Sequence, residues 1–183
     1  AAMDALKNHD YAKIQQLIDV ESFVKWYIIE EYMNNTDSSM HSSVYMYLEP
    51  GGKFKLGPVW DFDRSSGNCD YWNPQGAPDA LYNSGAGWFK LLFENAQART
   101  LLKARWATFY QQLAAVPNKI DEWVTMLDKA QAMNFKRWEI LNQKVGANPG
   151  EVVNANTYAK QITLLKNWLI NRRQMLNQFY SSI

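Results

Sequence analysis

The sequence predicts a mainly α-helical chain with one small antiparallel β-hairpin, an α+β arrangement. Apolar residues recur at three- and four-residue spacing from Trp88 to the C-terminus, the pattern of helices with one buried face. Two short runs of alternating side chains, 44–48 and 53–56, flank Pro50-Gly51-Gly52, the pattern of two strands and their turn. The chain is 183 residues long and 47% hydrophobic, enough for one substantial core and a single domain.

Tyr11 to Ile18 reads as a short helix, and Asp19 caps the next one, with Glu21 in its first turn. Val20, Phe23, Val24, Tyr27 and Ile28 give that second helix a buried face. Asn34-Asn35 ends it, because short amide side chains tolerate turn geometry and compete with the helical backbone. Val44 to Leu48 then alternates, with Tyr45 and Tyr47 on one face and Val44, Met46 and Leu48 on the other. Lys53 to Leu56 returns antiparallel until Gly57-Pro58 interrupts the ladder. The two ends of such a hairpin lie close together, so Asp37 before it can approach Asp61 after it.

Asn68 to Gly87 has no periodicity and reads as a long loop, packed through its aromatic residues. Within it, Tyr71 and Trp72 form a candidate exposed pair for a glycan or a peptide. Phe89, Leu92 and Phe93 begin the helices, and Leu101, Leu102, Arg105, Trp106, Phe109 and Leu113 form a second apolar face that Pro117 separates from the next. From Ile120 the spacing continues through Trp123, Leu127, Trp138 and Leu141 to Val145, about seven turns, before Gly146 stops it. After a short loop from Gly146 to Thr157, Tyr158, Ile162, Leu165, Leu169, Arg172, Leu176 and Phe179 mark the last helix. This seam is read as packing within one bundle, with a partner helix as the alternative. Arg172 on an apolar seam needs a partner, which points to a structural ion pair with an acid near the active corner. Most of Trp26, Trp88, Trp106, Trp123, Trp138 and Trp168 are expected in the core.

A formal charge of +1 gives no reason to expect a nucleic-acid partner. The single cysteine, Cys69, has no internal partner for a disulfide and no second thiol for a zinc site. No apolar run is long enough to cross a bilayer. The chain opens at Ala1 without an initiator methionine or a signal peptide, as a piece of a longer protein would, so a secretion signal is expected in upstream sequence if at all.

The chemistry concentrates around the hairpin. In extended backbone Asp61 and Asp63 point the same way while Phe62 turns toward the core, which offers a cation two hard oxygen ligands. Such donors suit magnesium, manganese or calcium. Asp37 lies in Asn35-Thr36-Asp37-Ser38-Ser39, a polar run with no place in a core, and can orient an attacking hydroxyl. The plainer reading of both acidic segments is a capping or turn aspartate. His41 reads as a hydrogen-bonded structural residue rather than a proton carrier, and Arg64 as either a phosphate contact or a surface ion pair.

Four runs carry a resemblance: Glu31-Tyr32-Met33-Asn34-Asn35-Thr36-Asp37, His41-Ser42-Ser43-Val44-Tyr45-Met46-Tyr47, Lys53-Phe54-Lys55 and Gly57-Pro58-Val59-Trp60-Asp61-Phe62-Asp63-Arg64. Together they resemble the spore coat protein H kinase family, strongly over about residues 20–68 and more loosely over the helical remainder. The resemblance implies that residues 1–183 form one domain, the C-terminal lobe of an atypical protein-kinase-like fold. The nucleotide-binding N-terminal lobe would then lie in another part of the same protein. It further implies ATP with Mg2+ or Mn2+, a protein substrate phosphorylated on a hydroxyl, and a location outside the cytoplasm or at the cell surface.

By the same resemblance Asp37 is the catalytic-loop aspartate, Asp61 the metal ligand and Asp63 its acidic companion. His41 and Ser42 support the catalytic loop, and Arg64 sits where it can touch phosphate. Ser42 departs from the asparagine usual in the family, and no glycine-rich loop or lysine–glutamate clasp precedes the site. The chain alone is therefore expected to fold without holding ATP tightly or turning it over. The alternative function is a non-catalytic binding module, cell-surface or coat-associated, on a kinase-like scaffold.

Overall fold

The computed structural model describes residues 1–38, 40, 42–70, 81–85 and 87–183. Helices α1 (Ala2–Lys7), α2 (Tyr11–Leu17) and α3 (Val20–Met33) come first, then strands β1 (Met46–Tyr47) and β2 (Lys55–Leu56). A 3-10 turn (Asn83–Gly85) leads into α4 (Gly87–Phe93), α5 (Ala96–Leu113), α6 (Val116–Arg137), α7 (Gly150–Asn154) and α8 (Tyr158–Ser182). The molecule is thus mainly helical with a two-stranded antiparallel sheet, the predicted α+β class.

Helix α3 is the centre of the core. Phe23, Val24, Tyr27 and Ile28 are buried as their spacing predicts, and Trp26 and Tyr32 on its other sides are buried as well. A helix apolar on nearly every side has to be surrounded. α3 accordingly packs against α5, α8, β2 and the 3-10 turn. Trp26 stacks on Phe89 of α4 at 5.5 Å, and Tyr27 meets the edge of Phe93 at 4.7 Å. On the far side Trp106 of α5 lies 5.0 Å from Tyr180 of α8.

The helix starts are set by side-chain caps. Asp19 accepts from the Ser22 amide at 3.0 Å, as its position before α3 predicts, and Asp10 accepts from the Lys13 amide at 2.9 Å to start α2. Asn95 accepts from the amides of Gln97 and Ala98, and Thr157 from that of Lys160. Each cap satisfies a backbone donor that the first turn leaves without a partner.

The structure departs from the sequence reading in several elements. The strands are two residues each, paired Met46 to Leu56 and Tyr47 to Lys55, instead of spanning 44–48 and 53–56. Phe54 is lost to the ladder because its amide donates to Leu17 O at 2.8 Å and its carbonyl accepts from the Asp19 amide at 2.8 Å. The hairpin is thereby stitched to the α2–α3 junction. Leu48 is exposed and Met46 partly buried.

The helix expected to run to Val145 ends at Arg137, where Trp138 turns extended at φ −122°. Trp138 is exposed beneath the Arg137 guanidinium, 4.9 Å from its ring. Trp123 also faces solvent, so two of the tryptophans expected near the core are outside it. Of the residues in α6 only Ile120 is buried, while Met126 and Met133 are 73% and 74% exposed. α1 and α7 form where the sequence reading placed no helix.

One long-range bond set ties the last helix to the end of α3. Arg172 and Glu31 are both fully buried, with Arg172 Nη2 3.0 Å from Glu31 Oε2. Arg172 Nε and Nη2 also donate to the Glu31 carbonyl at 2.8 and 2.6 Å. The Glu31 carboxylate accepts the Ser84 amide at 2.8 Å and the Tyr82 amide at 3.1 Å. Burial pushes the Glu31 carboxyl up from its ordinary range, and Arg172 with these amides pulls it back. The arginine on the apolar seam has an acidic partner, in the last turn of the helix that leads to Asp37.

Candidate functional site

α3 delivers the chain into the site through Asn34, whose left-handed φ of 48° ends the helix. The following turn is fastened on both sides. Thr36 Oγ1 donates to Arg64 O at 2.9 Å, and Asn35 Nδ2 donates to Asp61 O at 3.3 Å and Trp60 O at 3.4 Å. Segment 35–37 and segment 60–64 are therefore held face to face by side chains that bond backbone, which fixes separation without depending on charge.

Asp37, Asp61 and Asp63 each place one carboxylate oxygen within 4.8 Å of the other two. Asp37 is half-buried, and Asp61 and Asp63 are exposed. Asp61 itself adopts φ 64°, a left-handed conformation that aspartate tolerates better than most side chains. Ser43 Oγ donates to Asp61 Oδ2 at 2.9 Å and holds that carboxylate toward the hairpin. Arg64 Nη1 lies 3.6 Å from Asp37 Oδ1.

Beneath the surface Ser38 Oγ donates to Glu30 Oε2 at 2.8 Å and to Asn35 O at 3.0 Å. Glu30 is completely buried, and burial pushes its carboxyl up to about 7 against the pull of Ser38 and Asn35. Ser42 Oγ donates to the Asp37 main-chain oxygen at 2.5 Å.

Of the residues singled out from sequence, Asp37, Asp61, Asp63, Arg64 and Ser42 come together at this corner, while Arg172 lies behind it through Glu31. His41, Tyr71 and Trp72 fall outside the described residues. Three contributors were not anticipated: Glu30 under the loop, Thr36 on the Arg64 carbonyl, and Ser43 on Asp61. For Glu30 a signal was present, since two adjacent glutamates follow Ile28-Ile29 in the apolar second half of the helix. An acid on such a helix requires a buried partner.

The donor set fits a hard cation. Octahedral magnesium with oxygens at about 2.1 Å spaces opposite ligands about 4.2 Å apart, and larger calcium spaces them further. Three carboxylate oxygens within 4.8 Å match that scale. Carboxylates from two chain segments thus meet at a solvent-open corner carried on a mainly helical body. The chain belongs to the CotH kinase protein family, whose sequence pattern matches residues 1–176. The family relationship thus extends through the helical region, beyond the stretch about Asp37 and Asp61 where the motifs are concentrated. No curated protein and no solved structure matches the chain.

Proposed function

We propose that the protein containing this chain transfers the γ-phosphoryl group of ATP to a hydroxyl of a protein substrate, with this chain as its C-terminal catalytic lobe. The observation that carries the reading is the approach of Asp37 to Asp61 and Asp63 within 4.8 Å from opposite sides of the hairpin. Family membership supports the same reaction class. A divalent cation held by Asp61 and Asp63 would supply charge neutralisation at the phosphate oxygens.

The remaining roles belong to the chain itself. Asp37 orients the acceptor hydroxyl and takes its proton as the oxygen bonds to the γ-phosphorus and the bond to the departing ADP oxygen breaks. Arg64 steers the Asp37 carboxylate and offers a cation to a phosphate oxygen. Asn35 and Thr36 hold the two acidic segments at working distance. An N-terminal lobe elsewhere in the protein supplies the phosphate clasp. The reaction takes place outside the cytoplasm.

The test is transfer of radiolabel from ATP by the full-length protein. Transfer should require a divalent cation and fall at least 100-fold, on the order expected for loss of an acid–base or electrostatic group, in Asp37→Ala and Asp61→Ala. Both variants should keep the parent unfolding temperature within a few degrees. Cation-dependent transfer that survives both substitutions would reject these roles. A second reading, a non-catalytic binding module, draws on Ser42: its hydroxyl is engaged by the Asp37 carbonyl rather than standing as the amide ligand usual in the family. Full-length protein that folds and transfers no phosphate under any divalent cation would favour it.

A further inference from the structure

A cavity of about 750 Å³ opens beside the acidic corner. Its walls are the segment that follows Asp61, the chain leaving α6, α7 and the N-terminal half of α8. Phe62, Leu141, Val152, Ile162, Leu165 and Trp168 make its surface largely apolar. The volume falls in the range of ligand pockets. Asp63 belongs both to this wall and to the carboxylate cluster, so cavity and corner are continuous.

The wall is built rather than incidental. Asn68 Nδ2 donates to Asp63 O at 2.9 Å, and Asn148 Nδ2 donates to Asn68 Oδ1 at 2.7 Å. The Asp70 amide donates to Ala147 O at 3.0 Å, and Lys144 pairs with the Asp70 carboxylate. These bonds join the segment after the acidic motif to the segment before α7. They also account for the helix that stops at Arg137: Leu141 and Val145 line the cavity instead of extending α6.

Charge narrows the occupant. Among the described lining residues the charged ones are Asp63 and Glu151, and no lysine or arginine is among them. A phosphate-bearing ligand would meet only like charge among these described residues, whereas a neutral apolar group gains burial. Gln143, Asn167 and Asn171 add amides that can both donate and accept, which suits the backbone of an extended peptide.

We propose that this cavity docks the polypeptide acceptor, seating an aromatic or branched aliphatic side chain close in sequence to the hydroxyl that reaches Asp37. The assignment rests on the phosphoryl-transfer reading of the adjacent corner and names the acceptor's recognition element. One carboxylate of the wall lies within 4.8 Å of Asp37, and an extended chain advances about 3.3–3.6 Å per residue. An anchor two to four residues away lies roughly 7–14 Å from the hydroxyl in extended chain, farther than the wall carboxylate.

The experiment measures binding of labelled serine peptides to this chain by fluorescence anisotropy without nucleotide. Peptides bearing Phe or Leu two to four residues from the serine should bind roughly tenfold or more tightly than those bearing Ala or Asp there. Val152→Trp, which fills the cavity, should erase the difference. Gln143→Trp, at an exposed rim position, does the same from outside and covers the case in which Val152→Trp does not fold. In the full-length protein Val152→Trp should raise the peptide KM about tenfold and leave the ATP KM unchanged.

Equal binding of Phe, Leu and Ala peptides, or anchor preference untouched by both variants, overturns the docking site. A long-chain fatty acid that binds the cavity without displacing the peptides marks a small-molecule pocket and overturns it as well. Anchored peptide binding with no phosphoryl transfer in the full-length protein defeats the kinase reading instead. Transfer without anchor preference defeats only the docking site.

Discussion

Glu30 has one carboxylate oxygen bonded by Ser38 and the other, Oε1, buried with no hydrogen-bond partner. Burial lifts its carboxyl from an ordinary 4.5 to about 7, so the folded chain keeps this proton where the unfolded chain has lost it. The sign follows directly: stability from this group is fully present below about 4.5 and is lost as pH rises through about 7. The loss amounts to about 3 kcal/mol, an order-of-magnitude figure from the two values. Glu30→Gln keeps an acceptor for Ser38 and removes the ionisation. Thermal unfolding at pH 5, 6, 7 and 8 should show the parent losing stability across that interval and the variant losing less. Parallel profiles for the two proteins would show that Glu30 does not titrate in this window.

At the scale of elements, the hairpin is short, and its exit is set by a close approach. The Gly57 amide donates to Tyr45 O at 2.7 Å, and a Cβ at Gly57 would lie 2.9 Å from the Tyr45 Cβ. Gly57→Ala should therefore cost roughly 1–3 kcal/mol by overpacking and loosen protection of the Gly57 amide in hydrogen exchange. Unchanged stability and protection would mean that Tyr45 yields freely. Alternation of side chains revealed that a hairpin exists but not where it stops, because the backbone of Phe54 bonds Leu17 and Asp19, far away in sequence. Likewise the apolar spacing through Trp138, Leu141 and Val145 suits a helix and a cavity wall equally, and only the packing against α7 and α8 separates the two. The approach of Asp37 to Asp61 and Asp63 was legible because a hairpin brings its two ends together, while spacing alone suits a capping or turn aspartate equally and only the motif resemblance set the three apart. Ser43 was not, since a serine at a strand entrance carries no pattern that assigns its hydroxyl to an aspartate 18 residues on.

For the whole molecule, burial is concentrated around α3 while α6 lies along the outside. Leu176 of α8 is fully buried and Met133 of α6 is 74% exposed. Leu176→Ala should lower the unfolding free energy by about 2–5 kcal/mol, and Met133→Ala should stay within about 0.5 kcal/mol of the parent. Chemical denaturation of the two variants decides the matter. Similar losses at both positions would mean that α6 is covered in solution. Trp123, Met126 and Leu127 share that exposure with Met133, so α6 carries large apolar side chains in solvent among its charged ones.

The bond between Arg172 and Glu31 spans 141 positions, which gives the acidic corner a place in time as well as in space. A ribosome adding 5–20 residues per second needs roughly 7–28 s between making the glutamate and making the arginine. Until then the Glu31 carboxylate can draw only on the amides of Tyr82 and Ser84, with no cation to balance its charge. The helix that leads to Asp37 is therefore enclosed only once α8 has been made and arrives to cover it.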